Sequence, residues 1–448
     1  MSNGQGTFRH RRRYPYSPKA TLCLALLAAI PGNSGAFDVD YEIGLAAKRS
    51  DNINLSETNP ISETVLSPRL NFEAEQTGRT VQLSARGDLE YLHYIDGTFD
   101  NETRGRFAGK LNWTVLPQRL DFVLQDYLSL QPVDQLAAFS PGNQQQINVF
   151  VAGPTLHARF DGTTRGQLDL RYINSYAEKN TAFDSDRYHA AARLSHDLSA
   201  NNRVSANLEA TDVRFDLAGR ASDYRRYEGY ANSTIKRKRI DLSVDLGTSR
   251  LEFDRRDSKS YPLARATLDW RISSRSRLET TVRYQLGDAA QGLISPLDLN
   301  LDIDLDRRNF NDLRTDAIVE PNVYRERMIR LRYVYKGERL NLRVAPYSRQ
   351  IRYVEDLVAS QDRRGGIVNV DYRLRPRLTL TLRAAKEDRD YLGISRKDQQ
   401  MVTSVGLANR FTRHWTGQID FQRRQRDSTA VGRSHDENAV MVSFSYQR

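Results

Sequence analysis

The chain has 448 residues, of which 39% are hydrophobic and 27% charged, with a formal net charge of +11 and a single cysteine, Cys23. No stretch after Ala36 approaches the roughly 20 consecutive apolar residues of a membrane-spanning helix, and one cysteine excludes an internal disulfide framework. The basic residues are dispersed at alternate positions and no recognition motif accompanies them, which argues against a nucleic-acid partner.

The first segment carries Arg9, Arg11, Arg12, Arg13 and Lys19 without an acid, then the apolar run Leu22–Ile30, then the small residues Ser34 and Ala36. This is the pattern of a cleavable signal peptide over residues 1–36, with cleavage expected after Ala36. Removing its five basic residues leaves 62 against 56 acidic ones, a net charge of about +6.

From Phe37 onward the pattern is apolar–polar alternation, first expected as a strand over Phe37–Lys48 and last over Glu437–Gln447. Clear runs between are Val81, Leu83, Ala85; Leu168, Leu170, Tyr172; Ile240, Leu242, Val244, Leu246; Leu278, Thr280, Val282, Tyr284; and Leu378, Leu380, Leu382. An arginine recurs just after a short polar turn at Arg79, Arg119, Arg165, Arg203, Arg239, Arg277, Arg339 and Arg377, so the repeating unit is a hairpin. Short connections such as Thr77-Gly78, Leu116-Pro117-Gln118, Lys336-Gly337-Glu338 and Thr412-Arg413-His414 alternate with longer polar ones, Ser50–Glu63, Pro132–Gln144 and Gly287–Asn322. The expected fold is all-β: a transmembrane antiparallel up-and-down β-barrel of about twenty strands over residues 37–448, eighteen being the alternative, with short turns in the periplasm and long loops outside. Trp113, Trp270 and Trp415 all lie beside short turns and are assigned to the periplasmic aromatic girdle.

If apolar alternation marks the lipid side, the complementary positions line the lumen. They include Arg86, Arg106, Arg171, Arg193, Arg265, Arg271, Arg283, Arg330, Arg332, Arg343, Arg373 and Arg383, together with Asp88, Glu90, Asp169, Asp241, Asp245, Asp269, Glu279, Asp371 and Asp420. A guanidinium offers a planar fork of donors that suits carboxylate or phosphate, so these arginines are candidates for contact with an anionic solute or polysaccharide. The plainer reading is internal ion pairing, since an arginine without a partner is costly to bury. A barrel of this size encloses more volume than side chains fill, so something passes through it or plugs it.

The connection Gly287–Asn322 contains Asp298, Asn300, Asp302, Asp304 and Asp306 alternating with apolar residues, expected as an amphipathic strand that extends a hairpin, folds inward or joins the barrel. It lacks the glycine-turned spacing of a calcium loop, and the seven histidines are scattered without ligand spacing. We therefore expect no metal, no cofactor and no catalytic site; the chain does not read as an enzyme.

The segments Ser50-Asp51-Asn52-Ile53-Asn54-Leu55-Ser56 and Val65-Leu66-Ser67-Pro68-Arg69-Leu70 resemble those of β-barrel porin-type outer-membrane proteins associated with exopolysaccharide and PEP-CTERM (exosortase) loci. The resemblance implies location in the bacterial outer membrane and a role as a channel or accessory component in exopolysaccharide export. A scaffold barrel of a surface-polysaccharide assembly complex and a general diffusion porin are the alternatives. Expected partners are the lipid bilayer, the outer-membrane assembly machinery, an anionic polysaccharide and periplasmic export components.

Overall fold

The computed structural model describes residues 37–217, 223–253, 256–294, 322–355 and 359–448. The signal peptide expected over residues 1–36 and the aspartate row Asp298–Asp306 lie outside the described residues.

Twenty antiparallel strands form one continuous ladder. They are β1 Phe37–Ser50, β2 Glu63–Thr77, β3 Val81–Tyr94, β4 Glu102–Leu116, β5 Leu120–Pro132, β6 Gln144–Arg159, β7 Thr164–Ala177, β8 Ser185–Ser199, β9 Asn202–Phe215 and β10 Tyr224–Lys236, followed by β11 Ile240–Phe253, β12 Arg256–Arg271, β13 Ser276–Gly287, β14 Tyr324–Lys336, β15 Leu340–Tyr353, β16 Ser360–Arg375, β17 Leu378–Leu392, β18 Arg396–Arg410, β19 Trp415–Ser428 and β20 His435–Gln447. Each strand pairs with its sequence neighbours, and β1 pairs with β20 from Glu42↔Gln447 to Ser50↔Ala439, so the sheet closes and has no free edge. Closure is what lets the backbone polar groups be satisfied in a membrane. A backbone pair between Tyr41 and Arg448, N···O 3.1 and 3.0 Å, seals the seam at the short-turn end.

The two faces follow from the register. Residues opposite one another share a face, and the outward apolar ones align: Leu70↔Leu89, Val81↔Trp113, Leu268↔Leu242, Leu382↔Val405. Leu208 is 68% exposed and Leu246 61%, the values expected of side chains that meet lipid. Trp113, Trp270 and Trp415 belong to this outward face, each beside a short turn. At the seam Trp415 stacks on Phe444 with ring centroids 4.8 Å apart and meets Tyr446 edge-on at 5.1 Å. One polar pair interrupts the outward face of β5 and β6: Asn148 Nδ2 donates to Asp126 Oδ1 at 2.6 Å.

The nine connections that follow even-numbered strands are all short and lie at one end; the other end carries the long ones, together with the short returns from β11 to β12 and from β17 to β18. The long ends carry small apolar clusters inside the mouth, for example Ile53, Val65, Leu92 and Tyr94. Gly287 ends β13, and the connection that follows begins with a short helix, α1, over Ala289–Ile294. Its direction is set by Asp288, whose carboxylate accepts from the Gln291 backbone N–H at 3.0 Å and so caps the helix N-terminus.

Candidate functional site, a charged lumen narrowed at its mouth

The ladder places all twelve candidate arginines on the face opposite the exposed apolar rows, which in a closed barrel is the lumen. They divide into two sets according to what stands beside them. In the first set the neighbour is a carboxylate. Arg106 Nε lies 3.1 Å from Asp88, Arg171 Nη2 2.9 Å from Asp169, Arg265 Nη2 2.9 Å from Glu228, Arg271 Nη2 3.1 Å from Asp241, and Arg332 Nη1 3.3 Å from Glu279. Arg86 stands opposite Glu73; Arg193 is the exception, donating to the amide oxygen Asn207 Oδ1 at 2.7 Å.

The second set is Arg283, Arg330, Arg343, Arg373 and Arg383, on consecutive strands β13–β17. Their ladder neighbours carry no carboxylate: Arg265 and Met328 beside Arg283, Thr281 and Tyr347 beside Arg330, Val334 and Asn369 beside Arg343, Thr379 beside Arg373, and Asn369 and Ser404 beside Arg383. The inner face of β14–β17 also carries Arg349, Arg363 and Arg389, against the carboxylates Glu326, Asp371 and Glu387. This sector of the wall is therefore strongly cationic, and guanidinium groups grouped this way present converging donors to anything that passes.

Sequence reasoning missed the arginines nearest the mouth: Arg187, Arg226, Arg349, Arg363, Arg389, Arg396, Arg424 and Arg426. They continue the same alternation, but there the outward face turns polar, and the hydropathic contrast that identified the inward face disappears. Their alternation in phase with the predicted lumen arginines along each strand was the available signal.

Two chain segments fold inward across this mouth. α1 leaves β13 and packs Ala290 against Ile147, Val149, Ala177 and Phe183, on the inner side of β6 and β7, seven or so strands around the wall. Asp288 anchors it between Arg187, Arg226 (3.7 Å) and the Tyr224 hydroxyl, which donates at 3.0 Å. Burial pushes the Asp288 carboxyl up, but the flanking Arg187 and Arg226 outweigh this and hold it below the usual carboxylate range. The second segment, residues 133–143, runs from β5 to β6 and reaches the opposite wall. There the Leu136 carbonyl accepts from Arg396 and Arg426, and the segment encloses a cavity of about 40 Å³ with Arg363, Arg389, Arg424 and His435. The sequence had offered inward folding as one option for Gly287–Asn322; for Pro132–Gln144 it had offered none.

Among the described residues no group of three or more His, Cys, Asp or Glu side chains is arranged to hold a metal ion.

In shape the barrel resembles the siderophore receptor PirA from Pseudomonas aeruginosa (TM-score 0.44, 11% identity, covering 93% of this chain and 81% of that one). It also resembles the FrpB iron transporter from Neisseria meningitidis (0.42, 8%, 92% and 83%) and Pseudomonas aeruginosa OccK2 (OpdF) in complex with glucuronate (0.38, 11%, 92% and 98%). At these scores the likenesses carry no functional weight. No curated protein matches the chain in sequence. Residues 358–448, which hold β16–β20, match the family described as "Putative beta-barrel porin 2". The chain is a closed β-barrel of outer-membrane type, and its last five strands carry that family's sequence pattern.

Proposed function

We propose that the barrel is a channel for an anionic carbohydrate, with exported exopolysaccharide as the polymer class and periplasmic export components as its partners. The observation that carries this reading is the inner wall of β13–β17, where arginines, Arg283, Arg330, Arg343, Arg373 and Arg383 among them, outnumber the carboxylates on the same face. A polyanion sliding along such a wall exchanges one guanidinium for the next at similar energy, which favours passage over tight retention. α1 and residues 133–143 narrow the mouth above that wall and set the size of what passes.

A second reading is a structural barrel that serves a surface-polysaccharide assembly without conducting. The inward anchoring of both α1 and residues 133–143 favours it, because each fills the mouth. Single-channel conductance of the refolded mature protein in a planar bilayer, with and without a uronic-acid oligosaccharide, separates the readings. The channel reading expects current that the oligosaccharide blocks, with block weakened by replacing Arg330, Arg343 and Arg383 with Ala. A silent barrel supports the scaffold, and a large conductance indifferent to the oligosaccharide indicates a general porin.

A further inference from the structure

Beneath residues 133–143 the inner wall carries a pocket whose positive charge the barrel's own carboxylates do not neutralise. The ladder sets its side chains in rows: Arg349, Arg363, Arg389 and Asp398 cross β15–β18, and one step deeper Glu387, Gln400, Arg426 and His435 cross β17–β20. Arg424 and Glu437 follow, a further step down on β19 and β20. The cavity of about 40 Å³ lies between these rows and the covering segment, which contributes Gln135 to its lining.

Three carboxylates at this place already have their cations. Glu387 is held by Arg389 Nη2 at 2.5 Å and accepts from the Tyr347 hydroxyl; Asp398 is held by Arg396 at 2.9 Å and Arg426 at 2.5 Å; Glu437 is held by Lys48 at 3.0 Å and Arg424 at 3.3 Å. Arg363 has none of the three. It is 3% exposed, and its guanidinium donates only to Gln361 Oε1, 3.0 Å from Nε and 2.7 Å from Nη2; no carboxylate among the described residues stands within ion-pair distance. The surroundings do not correct the surplus. Arg349 is matched by Glu326 at 2.7 Å, the next two rows down add Arg343 and Arg383 against Asp371 and Asp420, and Asp134 on the covering segment turns back to the Leu136 N–H at 2.8 Å. Two more polar side chains of the lining lack hydrogen-bond partners: His435, 5% exposed, at both ring nitrogens, and Gln135 at both its amide nitrogen and oxygen.

We propose that this pocket binds one small oxyanion of the phosphate class, and that the bound anion ties residues 133–143 to the wall. A buried guanidinium without an anion is costly. An oxyanion accepts on several sides at once, from Arg363, from the ring N–H of His435 and from the Gln135 amide, so one group supplies what all three lack. Water satisfies the hydrogen bonds but leaves the charge. A single water takes about 10–15 Å³ of such space, so the cavity admits an ion of phosphate size and excludes a sugar ring. The site holds whether or not the barrel conducts, because it concerns the segment that covers the mouth and not what passes below it.

The test is limited chymotrypsin digestion of the refolded mature chain in neutral detergent, reading cleavage after Leu136 and Phe139 by mass spectrometry. Sodium phosphate, sodium chloride and sodium glucuronate are compared at equal ionic strength, and phosphate affinity is measured by calorimetric titration. Phosphate is expected to protect both bonds, and chloride and glucuronate to leave them open. Arg363→Gln is expected to weaken phosphate binding about tenfold and Gln135→Ala about threefold. Equal cleavage with and without phosphate overturns the proposal and assigns the cavity to water. Protection by glucuronate as strong as by phosphate overturns it too, as does unchanged phosphate affinity in both variants. The R330A/R343A/R383A variant, which tests the channel reading, is expected to keep its phosphate affinity; loss there would assign the binding to diffuse attraction along the lower wall. Should Arg363→Gln fail to show the mobility of a folded barrel on unheated gels, Gln135→Ala decides.

Discussion

Arg396 on β18 donates to the main-chain carbonyl of Leu136, Nη2···O 2.7 Å, joining residues 260 positions apart across the mouth of the barrel. Arg426 on β19 reaches the same oxygen at 3.5 Å, and both guanidiniums also contact Asp398. A loop end is thus tied to the far wall by charge-assisted hydrogen bonds, which are stronger than neutral ones.

Replacing both arginines with Ala removes that tie. We expect residues 133–143 to move away from β18–β19 and single-channel conductance to rise by about twofold or more, with added current noise from loop motion. Conductance equal to wild type would mean that this segment does not limit the pore.

Asp288 is the corresponding anchor for α1. Asp288→Asn leaves Arg187 buried without its anion and Arg226 with Glu228 alone, a change that costs about 3–5 kcal/mol when a buried pair loses one member. Because the folded carboxyl sits below its usual range, its stabilisation is present above the unfolded value, about 3.9, and is lost as pH falls through the folded value. Urea unfolding is expected to show lower stability for Asp288→Asn at neutral pH, and the difference from wild type is expected to shrink in acid.

The inside–outside assignment has its own test. Leu208, midway along β9, faces lipid, whereas Ser205 faces the lumen. Leu208→Arg is expected to cost about 2–4 kcal/mol, and Ser205→Arg less than about 1 kcal/mol, in folding titrations into lipid vesicles. Reversed costs would invert the two faces.

At the seam, Phe444 and Tyr446 pack on Trp415, while Gln447 and Arg448 contribute mainly backbone pairing to His414 and Tyr41. Replacing both aromatics with Ser is expected to lower the folded fraction several-fold in heat-modifiable gel mobility. Removing the last two residues is expected to lower it far less.

Approximate strand number, hairpin order and the turns at one end were readable from alternation and turn chemistry, whereas the inward arginines near the mouth, such as Arg187 and Arg396, were not. Alternation and turn chemistry are local: a side-chain period of two assigns every residue of a strand once one face is apolar, and a turn residue reports only on its own backbone. A barrel of about twenty strands, with eighteen as the alternative, and the nine turns after even-numbered strands followed from that; the closed ladder fixes the number at twenty. What the residues do beside one another was not local. Arg106 has Asp88 as its neighbour, whereas Arg343 has Val334 and Asn369, and only the cross-strand register decides this. The return of α1 and of residues 133–143 into the mouth depended on partners over a hundred residues away, Asp288 with Arg187 and Leu136 with Arg396. Such contacts form when a closed barrel brings distant strands around one lumen, and no periodicity along the chain encodes them.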